Sequence, residues 1–242
     1  MIFGIPYETL AFLWLGAFTG AIAAGASGFA FGLASSSIWL HRIDPLHSTV
    51  LIAGCGTLLH MTTIWPQRRN IQIGKLWPVI AGGLPGIPIG IYLLAYTNAG
   101  TLKIVLGIFL VAFGTYALLA PKLPVIAAGG RAADGFIGFI GGVLGGLGGY
   151  SGVLPTIWTQ LRGWPKAVAR GVYQPYVIVI QLVTVVALVT FDRSALIMLV
   201  AVLPPLLVGT WIGWQLFGRL DERRFRQALA ILLIGSGAVL VV

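Results

Sequence analysis

The chain is a succession of long apolar stretches interrupted by short polar or turn-forming segments. About 20 apolar residues are needed for an α-helix to cross a bilayer, and the stretches 74–96, 168–190 and 195–217 reach this length. Two others, 28–40 and 150–161, are much shorter. The pattern predicts ten helical segments, at 8–24, 28–40, 48–65, 74–96, 101–119, 132–147, 150–161, 168–190, 195–217 and 224–242.

The short stretches 28–40 and 150–161 each follow a longer apolar stretch after a glycine-rich junction. At a rise of about 1.5 Å per residue, each extends only about 20 Å. We expect each to form a helix hairpin with the stretch before it. The sequence leaves open whether either one fully crosses a bilayer.

Composition indicates that these helices belong to an integral membrane protein. Of the 242 residues, 58% are hydrophobic and 9% are charged, whereas about 25% of residues are charged in a typical soluble domain. The N-terminus carries no basic residue ahead of its first apolar stretch, so we interpret that stretch as part of the mature protein rather than a signal peptide. Cys55 is the single cysteine, so the chain forms no internal disulfide.

The basic residues predict how the chain is oriented. Cytoplasmic loops of membrane proteins are enriched in Lys and Arg, and counting crossings places all but three of the 15 basic residues on one side. Only Arg42, Lys103 and Arg193 fall on the other side. Both termini are then predicted to lie on the outer side. Topology accounts for the net charge of +9, so we do not expect nucleic-acid binding.

The two halves of the chain resemble each other with an offset of 120 residues. With an odd number of crossings in each half, the halves would have opposite orientations in the membrane. We therefore predict an all-α polytopic membrane protein of two inverted repeats, each a glycine-broken helix hairpin plus three transmembrane helices. The first repeat is 1–120, the linker 121–131 is cytoplasmic, and the second repeat is 132–242. The matched residues are Gly25, Gly28, Gly32, Pro45 and Pro85 with Gly145, Gly148, Gly152, Pro165 and Pro205.

The glycines of the hairpins have two interpretations. Pairs spaced by four residues, Gly16 with Gly20 and Gly138 with Gly142, are typical of close helix packing. The glycines at the junctions, within 25–28 and 145–152, are predicted to break the helix at membrane depth. Such a break exposes backbone N–H groups and the positive end of the next helix dipole, which together favour an anion.

These junctions supply the predicted substrate site. Ser27, Ser151 and Tyr150 add hydroxyl donors there. Gln174 marks either a transport pathway or an interhelical hydrogen bond, whereas Gln181 is interpreted as an interhelical hydrogen bond. His60 is either a proton carrier or, because it lies close to Trp65 at the inner end of its span, a plain interfacial histidine. The predicted substrate-binding residues are Gly25, Ser27, Gly28, Gly148, Gly149, Tyr150, Ser151, Gly152 and Gln174.

The sequence argues against an enzyme. All six acidic residues lie at segment ends or in loops, and none is expected to pair inside the membrane. The three histidines lack the company of a zinc site, and there is no phosphate-binding loop for a nucleotide. We therefore predict no metal and no cofactor. Inverted repeats with broken helices are typical of secondary transporters that bind substrate near the midplane, while an anion channel or uniporter that uses the breaks as a filter stays open.

The paired segments "GAIAAGASGFAFG" and "GGVLGGLGGYSGVLPTIW", each followed by a proline, resemble the sulfite exporter TauE/SafE family, also called the toluene sulfonate uptake permeases. The resemblance covers nearly the whole chain. It implies a carrier of sulfite, sulfonates or related anions in a bacterial inner membrane. The outer side on which the basic residues place the termini would then be the periplasm. The expected partners are a small anion and the lipid bilayer. Direction, coupling ion and assembly as a monomer or homo-oligomer stay open.

Overall fold

The computed structural model is all-helical over the residues it describes, which are 5–27, 30–119, 125–126, 128–217 and 222–241. A 3₁₀ helix, Trp65–Asn70, follows the third α-helix. The α-helices are α1 (Tyr7–Ser27), α2 (Phe31–Trp39), α3 (Pro45–Ile64), α4 (Ile73–Tyr96), α5 (Ala99–Leu119), α6 (Gly130–Gly148), α7 (Val153–Leu161), α8 (Lys166–Val189), α9 (Ser194–Ala201), α10 (Leu203–Phe217) and α11 (Glu222–Val241).

The hydrophobic pattern located these helices closely. The two short predicted stretches are the nine-residue helices α2 and α7, each only about 13 Å long. Within the described residues, three helices are long and apolar enough to cross a membrane, at Tyr7–Gly25, Ile73–Tyr96 and Lys166–Val189.

The predicted segment 195–217 is not one helix, because the structure divides it into α9 and α10 with a bend of 43°, although the pair together is long and apolar enough for one broken span. Two prolines, Pro204 and Pro205, follow the break. Proline has no N–H, so Pro205 cannot bond to the Ala201 carbonyl four residues earlier. The indole N–H of Trp14 donates to that carbonyl instead, at 3.0 Å. A side chain of α1 thereby satisfies the carbonyl that the break leaves free.

The chain forms two compact units, and each takes helices from both halves of the sequence. Unit 1 comprises Met1–Ile52, Thr97–Lys122 and Arg193–Val242, and unit 2 comprises Ala53–Tyr96 and Leu123–Asp192. The boundary between them falls within α3. The repeats 1–120 and 132–242 describe sequence similarity and remain a prediction.

In unit 1, α1 packs along α10, and α5 packs along α11. The α1–α10 contact depends on glycine, because a Cβ at Gly213 would lie 2.6 Å from the Ile22 carbonyl oxygen. Helix α2 folds back on α1, where the Trp39 indole donates to the Leu13 carbonyl at 3.1 Å. The predicted packing role of Gly16 is confirmed, since a Cβ there would overlap the Trp39 ring.

In unit 2, α4 and α6 make the most extensive helix contact, and small residues line it. A Cβ at Gly86 would overlap the Phe139 carbonyl, and one at Gly142 would overlap the Gly83 carbonyl. The packing role predicted for Gly138 and Gly142 is therefore confirmed. Helix α8 completes the unit and contacts α4, α6 and α7. The buried apolar core contains Leu76, Val79, Ile87, Val172, Tyr176, Val177 and Ile180.

Candidate functional site

The break between α6 and α7 is shorter than the sequence predicted. Helix α6 continues through Gly145 and ends at Gly148. The next residue, Gly149, has a φ of 78°, in the left-handed region that favours glycine. Its N–H donates to the Gly145 carbonyl at 2.8 Å, which closes the last turn of α6. The non-helical segment is therefore 149–152, within the predicted 145–152.

Gly148 belongs to the packing of this break. A Cβ at Gly148 would overlap the ring of Tyr150, which is itself buried. A Cβ at Gly145 would lie 2.8 Å from the Ile180 side chain and 3.1 Å from that of Ser151. These glycines allow the chain to fold tightly against α6 and α8.

The first turn of α7 faces this segment and leaves one backbone donor without a partner among the described residues. The N–H of Val153 donates to the Tyr150 carbonyl at 3.3 Å, and that of Thr156 donates to the Gly152 carbonyl at 3.1 Å. Pro155 has no N–H to offer. Since first-turn amides have no carbonyl partner within their own helix, the amide of Leu154 is the remaining donor at this end. The positive end of the α7 dipole lies at the same place.

Two buried hydroxyl groups at this end of α7 have no hydrogen-bond partner. The Ser151 side chain has no exposed surface, and its Oγ makes no hydrogen bond. The Oγ1 of Thr156, in the first turn and a half of α7, is also buried without a partner. An unpaired buried hydroxyl costs about 1–3 kcal/mol, so these atoms are the best evidence for a polar ligand here.

The corresponding short helix of unit 1 differs in this respect. Its three buried serines, Ser35, Ser36 and Ser37, donate to the carbonyls of Gly16, Leu33 and Ala34 at 2.9, 3.0 and 2.7 Å. In the described residues, the buried hydroxyls without a partner therefore lie on the α7 hairpin and not on the α2 hairpin.

Gln181 of α8 contacts the break directly. Its Nε2 donates to the Gly149 carbonyl at 3.1 Å, which makes the tertiary hydrogen bond that the sequence predicted for this residue. Its Oε1 lies against Gly56 of α3 and has no partner. Gln181 thus holds the left-handed residue of the break in place.

Gln174 lies two helical turns away from Gln181, about 10 Å along α8. Its Nε2 donates to the Thr63 hydroxyl at 3.3 Å, and its Oε1 is buried without a partner. The structure thus shows an interhelical hydrogen bond, which was one of the two interpretations of Gln174.

The first-half residues of the predicted site belong to unit 1. Gly25 packs against α10, where a Cβ would lie 2.9 Å from the Thr210 carbonyl. Ser27 is the last residue of α1, and Gly28 lies outside the described residues. The structure therefore brings together Gly148, Gly149, Tyr150, Ser151 and Gly152 within unit 2.

The remaining candidate, His60, is buried in the part of α3 that belongs to unit 2. Among the described residues, no group of three or more His, Cys, Asp or Glu side chains is placed to hold a metal ion.

A carboxylate that the sequence analysis assigned to a segment end is in fact buried. Asp134 lies on α6 and is 3% exposed. The Trp158 indole N–H donates to its Oδ1 at 2.7 Å, and Arg162 Nε lies 3.4 Å from the same oxygen. The sequence placed Asp134 near the end of a segment, as the structure does, but it did not predict that this carboxylate is buried against Trp158 and Arg162. A single acid near the start of a largely apolar helix was the signal in the sequence.

A second polar cluster lies in unit 1, at the turn that leads into α3. Asp44 caps α3 by accepting from the His47 amide at 3.1 Å. The His47 ring pairs with Asp44 through Nδ1, and its Nε2 lies 2.8 Å from the Ser194 hydroxyl of α9. Nearby in the chain, partial burial and the Lys103 ammonium lower the pKa of His41, so its ring is neutral at neutral pH.

Comparison with known proteins identifies a family for this chain. No curated protein and no solved structure matches the chain significantly. The family model described as "Sulfite exporter TauE/SafE" matches residues 12–240, which is nearly the full length. The resemblance inferred from the glycine-rich segments is therefore confirmed. The chain belongs to the sulfite exporter TauE/SafE family and is a membrane transporter of sulfur-containing anions.

Proposed function

We propose that the chain is a secondary transporter that binds a sulfur oxyanion or sulfonate at the break between α6 and α7 and moves it by alternating access. The observation that carries this proposal is the buried Ser151 hydroxyl, which has no hydrogen-bond partner at the N-terminus of α7. Membership of a sulfite exporter family supplies the class of anion.

The chemistry of this break suits an anion. Hydroxyl and amide groups donate hydrogen bonds without carrying a charge, and a helix N-terminus adds a partial positive charge. A site built from such groups attracts a small oxyanion strongly enough to bind it. Residues 149–156, all of which the structure describes, include no cation, such as a buried lysine, that would hold the anion too tightly for release.

The packing of the two units supports the proposed inverted repeats. In unit 2, α4 of the first half packs through glycines against α6 of the second half. In unit 1, α10 of the second half packs through glycines against α1 of the first half. Helices α4 and α10 occupy equivalent places in the two repeats, as do α1 and α6. Each unit thus contains the same pairing, as repeats that exchange one helix would produce.

We further propose that the protein lies in a bacterial inner membrane with both termini in the periplasm. The distribution of Lys and Arg supports this orientation. A cysteine added at the N-terminus is expected to react with a membrane-impermeant maleimide in intact spheroplasts, while the native Cys55 is buried. Labelling that requires membrane disruption would contradict the orientation.

The proposed site is tested by Ser151→Ala. This change removes one hydroxyl and leaves the packing nearly intact. A hydrogen bond to a charged group contributes about 1.5–3 kcal/mol, so the affinity for sulfite is expected to fall at least about tenfold. Sulfite binding to purified protein and its uptake into proteoliposomes measure the effect.

Ser37→Ala provides the matched control. Ser37 is also buried on a short helix, but its hydroxyl is already bonded to the Ala34 carbonyl. Its loss is expected to leave sulfite affinity unchanged. Equal affinity in Ser151→Ala and the native protein would exclude this break as the site, even if the native protein transports sulfite.

A further inference from the structure

Asp134, Trp158 and Arg162 form a buried cluster at the end of the α6–α7 hairpin opposite the break. The Trp158 N–H and the Arg162 Nε both lie close to the same carboxylate oxygen, Asp134 Oδ1. The guanidinium also lies over the Trp158 ring, with 5.5 Å between its carbon and the ring centre. The cluster therefore joins the first turns of α6 to the last turns of α7.

A buried carboxylate is costly in a membrane protein unless other groups compensate its charge. Here the compensation comes from the α7 side of the hairpin. Moving α7 away from α6 would leave Asp134 buried without its partners. The cluster therefore favours one position of α7 relative to α6.

Arg162 extends this attachment to the segment before α6. Its guanidinium donates to the carbonyls of Ala128 and Gly130 at 3.3 and 3.4 Å. A backbone hydrogen bond from Ile126 N to Leu161 O, at 2.6 Å, joins the same two segments. The C-terminal end of α7 is thus attached at several points.

Helix α7 transmits this attachment to the break. It has nine residues and is about 13 Å long, too short to bend appreciably. A tilt or slide at Arg162 must therefore displace the other end, where Ser151 and the Leu154 amide lie. Nothing in the break itself holds Ser151 by a side-chain hydrogen bond.

We propose that Asp134 is a positioning residue for substrate binding, which fixes α7 so that its N-terminal donors converge on the anion. This inference rests on the proposed binding site at the break. Asp134 does not contact the anion, and it acts through Trp158 and Arg162.

The test compares sulfite transport kinetics of three variants in proteoliposomes. Asp134→Ala removes both contacts, Asp134→Asn keeps an acceptor for the Trp158 N–H but loses the charge, and Trp158→Phe removes the N–H. We expect KM to rise about tenfold in Asp134→Ala and less in the other two, with kcat nearly unchanged. Because Asp134 and Trp158 act through one hydrogen bond, their effects on KM are expected to be non-additive in the double variant.

A merely structural role would have a different signature. Partial unfolding lowers the amount of active transporter, so it reduces the maximal rate and leaves KM unchanged. Glu8→Ala, which removes an exposed acid at the start of α1, is the control and is expected to retain the native KM. If Asp134→Ala does not fold, the other two variants decide.

The outcomes separate this inference from the function on which it rests. Native KM in Asp134→Asn and Trp158→Phe, together with saturable sulfite transport by the native protein, would overturn the positioning role alone. Absence of saturable transport of any sulfur anion by the native protein would overturn both.

Discussion

At the scale of single residues, the unpaired polar atoms of the α7 hairpin and of the neighbouring helix α8 are energetically unfavourable. Ser151, Thr156 and Gln181 each bury an oxygen without a partner, at about 1–3 kcal/mol apiece. Such a cost is a substantial part of the stability of a typical protein. A bound anion that accepts hydrogen bonds from the two hydroxyls would recover part of it. The unpaired hydroxyl groups therefore stabilise the complex with the anion relative to the empty site.

Residue identity alone did not reveal which glutamine lies at the break. Gln174 and Gln181 are seven residues apart, so they share a face of α8, and the sequence favoured Gln174 as a site residue. Their depths along the helix differ by about 10 Å. Only the packing of α6 and α7 against α8 determines that Gln181 meets Gly149. Such a contact depends on tertiary structure and has no signature in the spacing.

The conformation of the junction glycines also depends on tertiary structure and could not be predicted from spacing. The sequence correctly assigned Gly138 and Gly142 to packing, but it did not predict that Gly145 and Gly148 of the junction also pack closely. It could not show that Gly148 is still helical, because this depends on Tyr150 folding back onto α6. A large side chain at Gly148 would displace the Tyr150 ring, so Ser151 is the cleaner position for testing the site.

At the scale of helices, the contact between α4 and α6 requires glycine. The two backbones approach so closely that a Cβ at Gly86 would overlap the Phe139 carbonyl and lie 2.8 Å from the Val143 nitrogen. The packing leaves no room for a side chain, and backbone atoms cannot rotate away as a flexible side chain can.

Gly86→Leu is therefore expected to destabilise the protein. Overpacking costs about 1–3 kcal/mol or more when a core cannot adjust, and the apparent Tm of the purified protein should fall by several degrees. Gly74→Leu is the control on the same helix, because no atom lies within 4 Å of a Cβ there. An unchanged Tm in both variants would contradict the proposed role of glycine in this contact.

Hydrophobic runs predicted the helices well because apolar length is a local property. The break at Val202 was missed because proline does not always end a helix in a membrane protein. Helix α4 contains Pro78, Pro85 and Pro88 and continues through all three. The outcome depends on which neighbouring group satisfies the freed carbonyls, as Trp14 does for Ala201.

At the scale of the whole molecule, each compact unit combines helices from both halves of the chain. The sequence predicted two repeats of consecutive residues, whereas the compact units combine α4 with α6–α8 and α1 with α10. Sequence similarity reveals which segments are equivalent, but it does not reveal which equivalent segments pack together. The two observations share one feature, because α4 pairs with α6 in one unit as α10 pairs with α1 in the other.

The central claim is that this chain carries sulfur anions as a transporter with a saturable site. It is tested most directly by uptake of radiolabelled sulfite into proteoliposomes that contain the purified protein. The binding site of a carrier returns across the membrane faster when it is loaded. Preloading the vesicles with unlabelled sulfite is therefore expected to accelerate uptake of labelled sulfite. The rate of uptake should also saturate as the external sulfite concentration rises. Uptake that neither saturates nor responds to preloading, or that equals uptake by protein-free vesicles, would contradict the account.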